Sequence, residues 1–157
     1  MKISAAMQNA ALTAWVTALN PSTATVGIGS AITFYSGAAP ASAHDAATGT
    51  KLLQVRATAL GGGSDYNLLF DDPDSGVLVK RTSVTDTWNG TVAATGVAGY
   101  FRIHKHSDTD ALAADAAQTK ARIQGLVGSG AEAILSNPSL TSGATQAIDF
   151  LSITLPE

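Results

Sequence analysis

The hydrophobic period of this chain changes once, at Asn20-Pro21, and that change constrains the fold more than any other feature. Before it, Met7, Ala11, Ala14 and Ala18 recur at helical spacing, with Leu12, Trp15, Val16 and Leu19 beside them. Ser4 supplies an N-cap, so the spacing predicts a helix over residues 4 to 19. Pro21 ends it, because a proline disfavours the helical conformation of the residue before it. Beyond this point the pattern alternates. A chain with one helix at its start and short strands after it lacks the repeated crossover helices that a parallel sheet requires.

The strands are marked by turn chemistry on either side. Ala31 to Tyr35 is bounded by Ser36-Gly37 and Pro40; Leu52 to Leu60 sets Leu53, Val55, Ala57 and Ala59 against Gln54, Arg56 and Thr58, a strand with one wet face. Tyr66 to Phe70 lies between Gly61-Gly62-Gly63-Ser64 and Asp71-Asp72-Pro73-Asp74-Ser75-Gly76, and Val77 to Thr85 follows. Trp88 to Ala93, Ala98 to Lys105, Ala121 to Val127 and Ile148 to Leu155 complete the set, with a weaker segment at Glu132 to Leu135. About eight short strands at such intervals predict a mainly β fold, an antiparallel, jelly-roll-like β-sandwich with one N-terminal α-helix. No linker divides residues 1–157, so one domain is expected, its core including Phe34, Leu53, Val55, Phe101, Ile103 and Ile123. Residues 106 to 120, polar and alanine-rich, read as an exposed loop or short helix.

Composition narrows the function classes. Charged residues are 13% of the chain, against about 25% in an average soluble domain. Either the surface is small and neutral or part of it is covered by other subunits. A net charge of −3 with no Lys/Arg run argues against nucleic-acid binding, which needs a basic stripe to neutralise phosphates. The absence of cysteine removes disulfides, thiolate nucleophiles and zinc-thiolate sites. No stretch approaches the ~18 apolar residues of a membrane span, and Gln8, Asn9, Thr13 and Thr17 interrupt any signal-peptide core, so a soluble protein made in the cytoplasm is expected, without membrane partners.

Candidate chemistry is sparse. His104 and His106 would share a strand face, and with Asp108 or Asp110 could approach a metal-ligand set, but a solvated strand end is the simpler account. Asp72-Pro73-Asp74-Ser75-Gly76 has the composition of a calcium loop without the later bidentate Glu. Gly27-Ile28-Gly29 lacks the third glycine of a dinucleotide fingerprint, and Gly61-Gly62-Gly63-Ser64 lacks the Gly-Lys-Ser/Thr ending of a phosphate loop. His44, His104 and His106 offer bases for a Ser/His/Asp triad, yet no Gly-x-Ser-x-Gly elbow is present. The expectation is no catalytic residue, no metal and no cofactor. Trp15, Trp88, Tyr100, Phe101 and Phe150 lie in or beside apolar runs, where core positions are expected. In Tyr100-Phe101-Arg102-Ile103 the alternation puts Phe101 and Ile103 on one face and Tyr100 and Arg102 on the other, which makes Tyr100 and Arg102 candidates for a subunit interface or an ordinary solvated face.

One resemblance spans nearly the whole chain. Ile3-Ser4-Ala5-Ala6-Met7, Phe34-Tyr35-Ser36-Gly37-Ala38-Ala39-Pro40, Gly49-Thr50-Lys51-Leu52-Leu53, Gly76-Val77-Leu78, residues 94–103, residues 124–132 and Phe150-Leu151-Ser152-Ile153-Thr154-Leu155 resemble, in order, landmarks of small tailed-bacteriophage virion proteins, among them capsid cement or decoration proteins. The resemblance implies a β-sandwich or jelly-roll subunit on the outer surface of the virion head, clamping neighbouring copies of the major capsid protein. A homodimer or trimer is expected there, since closed oligomers match the symmetry of a shell. The segments Lys105 to Lys120 and Gly61 to Ser75 depart from the family pattern. A tail, neck or adhesion component is the alternative virion role, and an enzyme the third class.

Overall fold

The computed structural model describes residues 3–20, 30–59, 64–66, 68–80, 86–105, 108, 113–128, 131, 133–135, 137–148 and 150–155. Helix α1 runs Ala5–Leu19; the Ser4 hydroxyl accepts from the Met7 amide at 3.4 Å, and Asn20 leaves helical geometry at φ −113°. The Asn20 side chain then donates to the Leu68 carbonyl at 2.8 Å and accepts from the Ser30 hydroxyl at 2.6 Å, pinning the helix end to the first strand.

Eleven strands follow among the described residues: β1 Ser30–Ser36, β2 Lys51–Ala59, β3 Ser64–Tyr66, β4 Val77–Val79, β5 Asp86–Thr91, β6 Gly96–Lys105, β7 Arg122–Leu126, β8 Ala133–Ile134, β9 Ser139–Leu140, β10 Thr145–Ala147 and β11 Phe150–Thr154. The larger sheet has the order β10-β5-β2-β1-β6-β7, with β3 added to β2 and β9 to β6; the smaller is β4-β11-β8. All pairings between these strands are antiparallel. The chain is therefore mainly β with one N-terminal helix, as its change of period predicts. β9 and β10 escape a sequence reading because they are two and three residues long and lie in the Thr/Ser/Gly-rich run 139–147.

Alternation supplies the core. Ile32 and Phe34 of β1, Leu53 and Val55 of β2, and Phe101 and Ile103 of β6 join Leu78, Ala133, Leu151 and Ile153 of the smaller sheet and Leu12 and Leu19 of α1 in one cluster. The register pairs Phe34 with both Leu53 and Phe101, and Ile32 with both Val55 and Ile103. Leu52 and Leu53 both face inward although adjacent, because a bulge between Phe34 and Tyr35 leaves Leu52 as the unpaired residue of β2. Each such aliphatic side chain removed from water contributes about 1.5–3 kcal/mol. Ile123, expected in the core, is only partly buried against it because it lies on β7, at the sheet edge.

The acidic cluster before β4 is a hairpin. Asp74 and Val77 exchange both backbone hydrogen bonds at 3.0 and 2.9 Å around Ser75 and Gly76, with φ of 50° and 77°. Positive φ at both central positions is the two-residue turn that matches strand twist. A Cβ at Gly76 would also overlap the Gln8 amide, so glycine lets the hairpin lie against α1. Gly61 to Gly63, Gly27 to Gly29 and residues 81–85 lie outside the described residues.

Candidate functional site

The larger sheet carries its polar side chains in rows on the face away from the core. Register aligns Gln54, Thr33, Arg102 and Gln124 across β2, β1, β6 and β7; a second row holds Ala31, His104 and Arg122, and a third Tyr35, Tyr100 and Leu126. Neighbouring rows are bonded together. Gln54 donates to the Thr33 hydroxyl at 3.3 Å, which lies 2.8 Å from His104 Nε2, while His104 Nδ1 meets the Lys105 carbonyl at 2.8 Å. Because a carbonyl only accepts, Nδ1 carries the proton and Nε2 accepts from Thr33. Arg102 Nε donates to Gln124 Oε1 at 3.0 Å, and Gln124 Nε2 donates to the Pro40 carbonyl at 2.8 Å. Tyr35 and Tyr100 stack at 4.9 Å.

Two segments of the same chain cover this layer. From the segment after β1, Thr48 exchanges hydrogen bonds with the Tyr100 hydroxyl at 2.7 and 2.9 Å, and the Ser42 carbonyl accepts from Arg102 at 3.4 Å. From the segment before β7, Asp108 accepts from Arg122 Nε at 2.7 Å, Arg122 Nη2 at 3.1 Å and Lys120 Nζ at 2.9 Å. Arg122 also donates to the carbonyls of Ala43 and Ala113, so it ties both covering segments to the sheet. They are joined to each other as well: the Asp115 amide donates to the His44 carbonyl at 2.7 Å, and its carboxylate meets His44 Nδ1 at 3.1 Å.

Burial shifts the titrations of this layer. It pushes the Tyr35 hydroxyl up to about 12 and holds the His104 imidazole below its ordinary value, so the ring is neutral. Burial alone would raise Asp108, but the hydrogen bonds and charges of Arg122 and Lys120 outweigh it and hold the carboxyl low. Asp115 is held low first by the Lys120 amide, which donates to it at 2.8 Å.

These positions correct several sequence expectations. Tyr100 and Arg102 are fully buried under their own chain, so neither is offered to a second subunit nor solvated. His104 is equally buried, not at a wet strand end; His106 and Asp110 lie outside the described residues. The segment before β7 is not simply exposed, since Asp108 and Asp115 turn inward. His44 is brought to Asp115, and no hydroxyl among the described residues bonds its second ring nitrogen. The Asp108–Arg122 and His44–Asp115 pairs had no sequence signal beyond residue type.

Among the described residues Asp45, Asp71, Asp72, Asp74 and Lys120 are exposed charges, while other parts of the surface are neutral or apolar. Helix α1 contains no charged residue, and Met7, Val97, Leu126 and Phe150 are about half exposed or more. Trp15, expected in the core, is 37% exposed, whereas Trp88 is buried with Phe70 edge-on at 5.2 Å. A cleft of about 460 Å³ opens between the end of α1 and β7, lined by Trp15, Ala18 and Leu19 on one side and by His44, Gln118, Lys120 and residues 121–124 on the other. Among the described residues no three or more His, Asp or Glu side chains converge as metal ligands. No helix there is long and apolar enough to cross a membrane. No protein-family model, curated protein or solved structure matches the chain.

Proposed function

We propose that this chain is a structural subunit of a bacteriophage virion, a capsid cement protein that binds the outside of the head and stabilises contacts between copies of the major capsid protein. The observation that carries this reading is the distribution of polarity. Arg102, Arg122 and Gln124 of the larger sheet are bonded to the chain's own covering segments, through Ser42, Asp108 and Pro40. The uncharged helix and the apolar side chains of Met7, Val97, Leu126 and Phe150 are left outside. A surface of that kind associates by burial, and a ligand that binds only the assembled shell stabilises it by mass action. The order of the virion-protein landmarks along the sequence supports the same setting. A homodimer or trimer on the shell is part of the proposal.

Purified protein titrated onto undecorated heads tests it. Binding should saturate at a copy number set by the capsid lattice, and decorated heads should survive higher temperature or sharper osmotic shock. Equal robustness at full occupancy, or copies confined to the tail of intact virions, would overturn the cement reading; the second result would establish the tail alternative.

A further inference from the structure

We propose that the cleft between α1 and β7 binds a neutral saccharide, with the Trp15 indole as its stacking wall and His44, Gln118 and Lys120 as partners for hydroxyl groups. The wall formed by His44, Gln118 and Lys120 lies off the helix proposed for capsid attachment.

The first support is size and shape. At about 460 Å³ the cleft falls within the roughly 300–1,000 Å³ of small-molecule sites. The second is the indole. Trp15 stands 37% exposed on a helix whose other outward residues are mostly alanine and threonine, while the chain's other tryptophan is buried. An exposed indole on a cleft wall offers a flat apolar surface with a polar edge, suited to a ligand that is apolar on one side and wet on the other.

Charge selects among such ligands. The ionisable groups lining the cleft are all cationic types, His44, Lys120 and Arg122, but two carboxylates stand behind them, Asp108 on Lys120 and Arg122 and Asp115 on His44, so the formal charges of Lys120, Arg122, Asp108 and Asp115 sum to zero. Neither aspartate lines the cleft. The wall therefore offers no net attraction for a phosphate or carboxylate. What it offers is direction: with Nδ1 turned to Asp115, His44 points its second ring nitrogen elsewhere, Gln118 brings an amide that both donates and accepts, and Lys120 keeps two N–H groups beyond the one given to Asp108. Gln118 is held there by a turn with φ of 53°, a left-handed conformation uncommon for a residue other than glycine, closed by its amide donating to the Asp115 carbonyl at 2.9 Å. A pyranose ring, with a C–H face for the indole and hydroxyls around its rim, has the matching chemistry.

The test uses the whole chain and a panel of glucose, mannose, galactose, N-acetylglucosamine and their disaccharides, read by tryptophan fluorescence and saturation-transfer NMR. At least one sugar should give a saturable response in the millimolar range, weakened about tenfold or more by Trp15→Ala and by Gln118→Ala. Trp88 emission reports that each variant is folded. Should Trp15→Ala not fold, Trp15→Phe, which keeps an aromatic face, and Gln118→Ala carry the comparison. No response from any sugar well above millimolar concentration, a response that both foldable variants leave unchanged, or binding of adenosine in preference to every sugar would overturn the proposal. Capsid titration of Gln118→Ala, a position off the helix, should be unaltered, which separates this site from the attachment surface.

Discussion

Replacing Asp108 by Asn should unfold this protein more readily than almost any other isosteric change outside the core. The Arg122 side chain is 0% exposed and that of Asp108 5%, and the two are joined by a pair of parallel hydrogen bonds at 2.7 and 3.1 Å. Removing one partner of a buried ion pair costs about 3–5 kcal/mol, because the other charge is left uncompensated. Two features place this case near the lower end. Arg122 keeps its donations to the Ala43 and Ala113 carbonyls, and Lys120 is freed to solvent with its side chain already 41% exposed. A loss of about 3 kcal/mol is a fifth or more of a typical domain's 5–15 kcal/mol. In a chain of this size it should lower Tm by about 6–12 °C. Urea unfolding should show the midpoint falling with an unchanged slope. The double variant Asp108→Ala/Arg122→Met should recover much of the loss, since apolar replacement of a whole buried pair is often neutral. If Asp108→Asn lies within about 0.5 kcal/mol of the parent, the buried pair does not hold the covering segments down and the reasoning fails.

Acid should weaken the same layer in two stages. His104 is held neutral below its ordinary value of 6.5, so the unfolded chain takes up a proton that the folded one refuses. Stability should therefore fall as pH drops below 6.5 toward the folded value, by no more than about 1.4 kcal/mol per pH unit, and His104→Gln should flatten that slope in urea titrations. Asp108, depressed in the folded state, contributes its share above its unfolded value of 3.8 and loses it at lower pH; Asp108→Asn should shrink this second stage, leaving the share of Asp115, which is also held low. Gly99→Ala should cost about 3 kcal/mol, because a Cβ there would overlap the Gly37 carbonyl oxygen and only backbone movement could relieve it. Thermal unfolding within a degree of the parent would refute that contact.

Local pattern determined the parts of this protein that depend on local physics. The helix, its Ser4 cap and its end at Asn20 follow from spacing and capping chemistry within a few residues. The inward set Phe34, Leu53, Val55, Phe101 and Ile103 follows from strand alternation, because a one-residue slip would expose every member. The second face of the larger sheet was a different problem. Alternation reveals that Thr33, Arg102 and His104 point away from the core, but a polar face is equally compatible with water or with a covering segment. Which one applies depends on where the stretches after β1 and before β7 travel, and that is decided by contacts such as His44 with Asp115, 71 positions apart. Trp15 was misplaced for a related reason: α1 is apolar or neutral all round, so its sequence names no single buried side. Tertiary packing chose Leu12 and Leu19 for the core and left the indole at the cleft, because the sheets offer a helix room for only one of its faces.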